Sequence, residues 1–323
     1  MAGARVRRRG FLRAALAATL PVAVWRGRPW AEPRLVERWS WAMGQSVRLL
    51  LYHPSESGGL EAAQAALAEL RRVESRLSRF DDASDLAELN RLAGRGSLRA
   101  DTDLLAVLRA AATLKAESEG AFDVAVEPLM QVWGFRDPRC LEPTPGELRE
   151  ARAAVRAAVI RIEGTRITLP AAHTRLDLGG IGVGYALDRA ARVLRARGVD
   201  RALIDVSGDI RALGAPPGLA GWPVEIADPR VAGGRVGSVL LRDQALATSA
   251  NTVSVVRLAG RLRGHVMDPA LGAPAERVLQ ATVVARTGVQ ADALSTAVLV
   301  AGTAWPGVER SWMVGRQRLM ADG

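Results

Sequence analysis

The chain has 323 residues, 49% hydrophobic, 24% charged and only 4% aromatic, which excludes a disordered chain and allows one large domain with a full core. Its formal charge of +10 is concentrated at one end: residues 1–31 hold seven arginines (Arg5, Arg7, Arg8, Arg9, Arg13, Arg26 and Arg28) and no acid, leaving 37 basic residues against 34 acidic ones. Lys115 is the sole lysine among 44 cationic residues, and the later arginines are interspersed with acids rather than gathered into a basic block with stacking aromatics, which argues against nucleic-acid binding.

Arg7-Arg8-Arg9-Gly10-Phe11-Leu12-Arg13 followed by the apolar stretch Ala14–Trp25 predicts a twin-arginine-type export signal over residues 1–31 and a periplasmic address. The apolar run is far short of the roughly 20 residues that a membrane span needs, so the protein is expected to be peripheral to a membrane at most. A frayed basic terminus is the alternative reading. Residues 45–52 predict a first strand, and Leu60, Ala63, Leu67, Leu70, Val73 and Leu77 recur at helical spacing. A second helix is expected after Asp101, with Gly120 as its stop. Thr144-Pro145-Gly146-Glu147 reads as a capping box opening a helix to about Ala158. Val159–Ile162 and Arg166–Leu169 predict a hairpin. A glycine-rich turn at 179–184 leads into a helix from about Tyr185 to Arg197, closed by Gly198. Ala202–Val206 reads as a strand, and Ala291–Val300 as a helix closed by Gly302. Strands and helices mix throughout residues 32–323 with no long linker, the pattern of one compact α/β or α+β domain.

Cys140 is the only cysteine, which excludes an internal disulfide and multi-cysteine metal sites. His53, His173 and His265 lie far apart, without the spacing of a helix-borne zinc site. Five segments carry residue types with chemical uses. Arg79–Asp85 reads as a polar loop or simply a solvated turn with Ser84 as a helix cap. Gly120–Phe135 sets Phe122 and Phe135 about a loop that suits a flat ring, or ordinary core. Asp177-Leu178-Gly179-Gly180-Ile181-Gly182-Val183-Gly184 runs into a helix whose N-terminal amides suit phosphate oxygens. Its glycine spacing is not that of a dinucleotide fold, and it has no phosphate-loop lysine. His265-Val266-Met267-Asp268-Pro269 reads as a site or as turn chemistry. Asp292 and Thr296 share a helix face and offer hard oxygens that suit magnesium, or act as a helix-end acid and a buried hydroxyl.

In their order and composition these segments, with Met43-Gly44, Val206–Gly214 and Thr248-Ser249, resemble the ApbE family of FAD:protein FMN transferases. The resemblance covers essentially the whole chain after the leader. It implies a single compact ApbE-like, T-fold-related domain of mixed α/β (α+β) class. It further implies FAD contacts at Met43, Phe80, Ala121, Phe122, Asp123, Asp177, Val183 and Val266, and Mg2+ held by the Gly180 carbonyl with Asp292 and Thr296. His265 and Asp268 would stand near the reacting phosphate, with His265 as proton acceptor. The implied reaction moves the FMN moiety of FAD onto a Ser or Thr hydroxyl of an envelope redox protein and releases AMP. A Mg-dependent FAD pyrophosphatase and a non-catalytic FAD-binding protein are the alternatives. Three positions depart from the family pattern: Val183 replaces a lysine or glutamate, while Ser207 and Ala250 each replace a glycine. An alanine at 250 is tolerated only where its φ is negative.

Overall fold

The computed structural model of the chain describes residues 33–315 and 319–320, so the export signal read over residues 1–31 lies outside the described residues. At its centre is an eight-stranded sheet in the order Arg34–Ala42, Gln45–His53, Ala202–Val206, Asp209–Leu213, Ala245–Ala250, Val278–Ala285, Arg310–Gly315 and Leu319–Met320. Every neighbouring pair is antiparallel. Side chains alternate across a strand, and the alternation creates two apolar layers. Val47, Leu49 and Leu51 join a core shared with the helices, whereas Leu50 and Tyr52 pack on a hairpin of Trp222–Ala227 and Arg235–Leu241.

The described residues form seven helices: α1 (Glu56–Leu77), α2 (Asp85–Arg91), α3 (Thr102–Glu117), α4 (Glu127–Val132), α5 (Pro145–Arg156), α6 (Gly182–Ala196) and α7 (Gly288–Ala301). α1 packs on α6, α6 on α7, and α7 on the strands Ala245–Ala250 and Val278–Ala285. Helices gathered on one face of an antiparallel sheet make the mixed class specifically α+β. α4 and α5 enclose a separate small core around Leu129, Trp133 and Val155 with Met267.

Most expected elements are present, with shifted ends. α1 begins four residues before Leu60, because Ser55 caps it by accepting the Gly58 amide. Asp101 caps α3, and the full capping box of Thr144 and Glu147 opens α5. The hairpin around Gly164 is present as Arg161–Glu163 and Arg166–Thr168, extended to three strands by Ser97–Arg99. α6 starts at Gly182 rather than Tyr185, and α7 at Gly288, where Thr287 caps it. α4 and the strand Ser97–Arg99 have no counterpart among the elements expected from the sequence, and the Ser84 cap read from the sequence opens a helix. α2 follows Ser84, whose hydroxyl accepts the Ala87 amide at 3.0 Å. The strand Arg34–Ala42 precedes the expected first strand, and Met43 and Gly44 form the two-residue turn between them with φ of +57° and +66°.

Candidate active site

α6 and α7 cross at two glycines. A Cβ on Gly184 would lie 2.1 Å from the Gly288 carbonyl oxygen, and one on Gly288 would lie 2.2 Å from that of Gly184. No other residue permits so close an approach. Each helix then caps the other. Asp292 of α7 accepts the Gly184 amide at 2.9 Å, while Asp188 of α6 accepts the Gly288 and Val289 amides at 2.9 and 3.1 Å. Ile181, at the N-cap of α6, supplies no side-chain cap of its own. The helix end expected to cradle phosphate is therefore partly taken by the protein's own carboxylate, and Gly184 is there for helix packing.

This crossing forms one wall of a cavity of about 500 Å³. The cavity brings together Ala121, Phe122, Asp123, Asp177, Gly180, Val183, His265, Val266, Asp292 and Thr296 from stretches far apart in the chain. Three expected site residues are elsewhere. Met43 packs against the core at the hairpin turn, next to the cavity-lining Gln45. Phe80 is 83% exposed beneath the Arg79 guanidinium, 4.2 Å from its ring centre. Asp268 borders an adjoining cavity of about 600 Å³, and its Oδ1 accepts the Ala270 and Leu271 amides at 2.8 and 2.9 Å. That turn role places Asp268 outside the cavity that holds His265.

The cavity contains four carboxylates in different electrostatic settings. Asp177 is paired with Arg136 and lies 3.6 Å from the Arg79 Nε, and both arginines also bind Glu127. Asp123 is buried and paired with Lys115 at 2.6 Å. Among the described residues, Asp209 and Asp292 have no cationic partner. Burial, reinforced by the neighbouring Asp209 charge, raises the Asp292 carboxyl well above the usual carboxylate range. Burial also raises Asp209, and the nearby Asp205 adds to the effect.

Hydroxyl groups cluster where α7 meets the strand Ala245–Ala250. Ser249 Oγ lies 2.7 Å from Ser295 Oγ and 3.1 Å from Thr296 Oγ1, and Ser295 donates to the Asp292 carbonyl oxygen at 2.8 Å. A Cβ on Gly180 would be 3.0 Å from Thr296 Oγ1, so the bare backbone of Gly180 opens onto that hydroxyl. An uncompensated buried carboxylate, clustered hydroxyls and an adjacent backbone turn form an all-oxygen donor set that suits a hard divalent cation. Among the described residues no group of three His, Cys, Asp or Glu is placed to hold a metal ion.

His265 lines the same cavity, and its buried Nδ1 has no hydrogen-bond partner in the protein. Burial lowers its pKa below the ordinary imidazole value, against the opposing pull of a Ser254 backbone hydrogen bond and the Asp177 charge. Val183 lines the cavity, and its side chain holds only carbon. Ala250 lies in a strand without positive φ and is therefore unstrained, whereas Ser207 has φ +49° in a tight turn where glycine is at ease. Ser295, Arg136 and Glu127 were given no role from the sequence, Ser249 and Asp209 were noted only within segments that carry the resemblance, and Lys115 only as the sole lysine. Only the spacing of Ser295 three residues after Asp292 offered a local signal.

The ApbE family model matches residues 43–309. An FAD:protein FMN transferase of Treponema pallidum is 30% identical over 318 residues, covering 90% of this chain and 88% of that protein. The crystal structure of the ApbE protein of Thermotoga maritima superposes with a TM-score of 0.80 at 27% identity, covering 90% of this chain and 97% of its own. The apo flavinyl transferase ApbE of Pseudomonas stutzeri gives 0.77 at 25% identity, covering 90% and 95%. The matched region contains the cavity-forming segments from Phe122 to Thr296, and the chain belongs to the ApbE family.

Proposed function

We propose that this protein is a magnesium-dependent FAD:protein FMN transferase, moving FMN from FAD to a Ser or Thr hydroxyl of a partner protein and releasing AMP. The observation that carries the reading is the meeting of His265, whose Nδ1 has no partner, with the oxygen cluster of Asp292, Thr296 and Gly180 in one cavity. Gly180, Asp292 and Thr296 would hold Mg2+, which when bound neutralises charge on the pyrophosphate oxygens. His265 takes the proton of the acceptor hydroxyl, which must be lost as its oxygen bonds to the phosphorus of the FMN half. The bond from that phosphorus to the AMP oxygen breaks, and AMP leaves with the electron pair. Phe122 and Val266 provide apolar walls. The twin-arginine-type leader supports the proposal that the reaction takes place in the periplasm, on a redox protein of the envelope.

The test is to incubate the protein with FAD, Mg2+ and candidate acceptor proteins. Flavin fluorescence that stays with the acceptor through denaturation, with AMP formed in equal amount, is the expected result. AMP and free FMN in equal amounts with every acceptor would replace the reading with a pyrophosphatase. Bound FAD that is never cleaved would replace it with a binding protein.

A further inference from the structure

We infer that Lys115 is a positioning residue for the flavin nucleotide, holding and neutralising Asp123 so that an anionic substrate can enter the cavity. The inference rests on the FAD reading above. Lys115 is in the last turn of α3, outside the cavity, and its side chain is about half exposed. Asp123 lies eight residues on, beyond the turn at Gly120, with its side chain 5% exposed. One carboxylate oxygen of Asp123 accepts the Ala125 amide at 2.9 Å, and the other takes the Lys115 ammonium at 2.6 Å. Asp123 is thus fixed from both sides, and its charge is cancelled where it borders the cavity.

The charge balance of the cavity makes this pairing functional. Asp177 is balanced by Arg136 and Arg79, while Asp209 and Asp292 are left without a cation. A third uncompensated carboxylate at Asp123 would oppose any pyrophosphate across a low-dielectric space. The composition points to the same residue. Of 44 cationic positions, 43 are arginine, and lysine is kept only here. Asp123 has a single oxygen free, so it offers a point contact to an ammonium rather than the paired oxygens that match a guanidinium fork.

Equilibrium FAD binding and AMP release, measured on the intact protein and its variants, test the inference. Lys115→Met is expected to raise the Kd for FAD about tenfold or more, with kcat within about threefold of the parent, because a buried charge is left uncompensated beside the phosphates. The double variant Lys115→Met/Asp123→Asn removes both charges and keeps the acceptor for the Ala125 amide. It is expected to relieve at least about threefold of the loss seen in Lys115→Met, as charge neutralisation rather than bulk is what Lys115 supplies. A pair that is merely structural would shift Tm and leave Kd unchanged below both melts, and that result overturns the inference. So does a tenfold loss that Asp123→Asn fails to relieve. A parent protein that binds no FAD overturns the functional reading and this inference with it; unchanged Kd in Lys115→Met alongside normal binding by the parent overturns the inference alone.

Discussion

At the residue scale, the most informative atoms are those with more than one task. Asp292 accepts the Gly184 amide through Oδ2 and borders the cavity with the rest of its carboxylate. Asp292→Asn keeps an acceptor for that amide but removes the negative charge. AMP release is expected to fall about 100-fold or more and to lose its response to Mg2+, while metal-free Tm does not fall, since an amide replaces a poorly solvated carboxyl. Ser207 makes the opposite case. With φ +49° it carries strain that its 3.1 Å contact with Ser46 only partly offsets. Ser207→Gly is expected to stabilise the fold by about 1 kcal/mol, roughly 2 °C in Tm, read by calorimetry. Asp292, Thr296 and His265 could be singled out in the sequence because hard oxygens at helical spacing and an imidazole have recognisable uses. Arg136 could not, since its partners Glu127 and Asp177 are brought to it only by the fold.

At the element scale, the α6–α7 crossing governs both packing and the site. Gly184→Ala would push a methyl into the Gly288 carbonyl, and neither helix can yield without losing its cap from the other. A loss of about 3 kcal/mol or more is expected, measured by denaturant unfolding, together with weakened Mg2+ binding. The glycines at 179–184 were visible in the sequence, but their purpose was not. Glycine clusters at a helix start serve phosphate binding and close helix contact equally well, and only the partner across the crossing decides. Helix starts were legible at Thr144 and Asp101, where the cap stands directly before the apolar pattern, but not at Ser55 and Thr287, whose caps lie three to five residues ahead of it. The strand Arg34–Ala42 was not, because Trp39 and Trp41 are 65% and 64% exposed and break the rule that apolar residues mark a buried face.

At the scale of the whole molecule, charge and stability are linked through the cavity. A carboxyl whose folded pKa is raised holds its proton longer in the native state, so metal-free stability contributed by Asp209 and Asp292 declines as pH rises from the unfolded value toward the folded one. Cation binding requires the ionised form, so Mg2+ held as proposed would reverse that decline. If Asp292 holds Mg2+ as proposed, the rise in Tm on adding Mg2+ is expected to grow as pH climbs above the ordinary carboxylate range, a trend that scanning fluorimetry measures directly. The class of the fold was evident from mixed helical and strand periodicities. Its antiparallel pairing was not, because residues 45–53 and 202–206 are partners separated by about 150 positions that no local pattern links.

The bond from Gly184 to Asp292 has one further consequence. The amide is buried, and its proton can exchange with solvent only when α6 and α7 part or the carboxylate lets go. A cation pulling on the same carboxylate would lock that release. If Asp292 holds Mg2+ as proposed, the deuterium uptake of a single backbone hydrogen is a gauge of whether the cavity is loaded, expected to slow on addition of Mg2+ and to lose that response in Asp292→Asn.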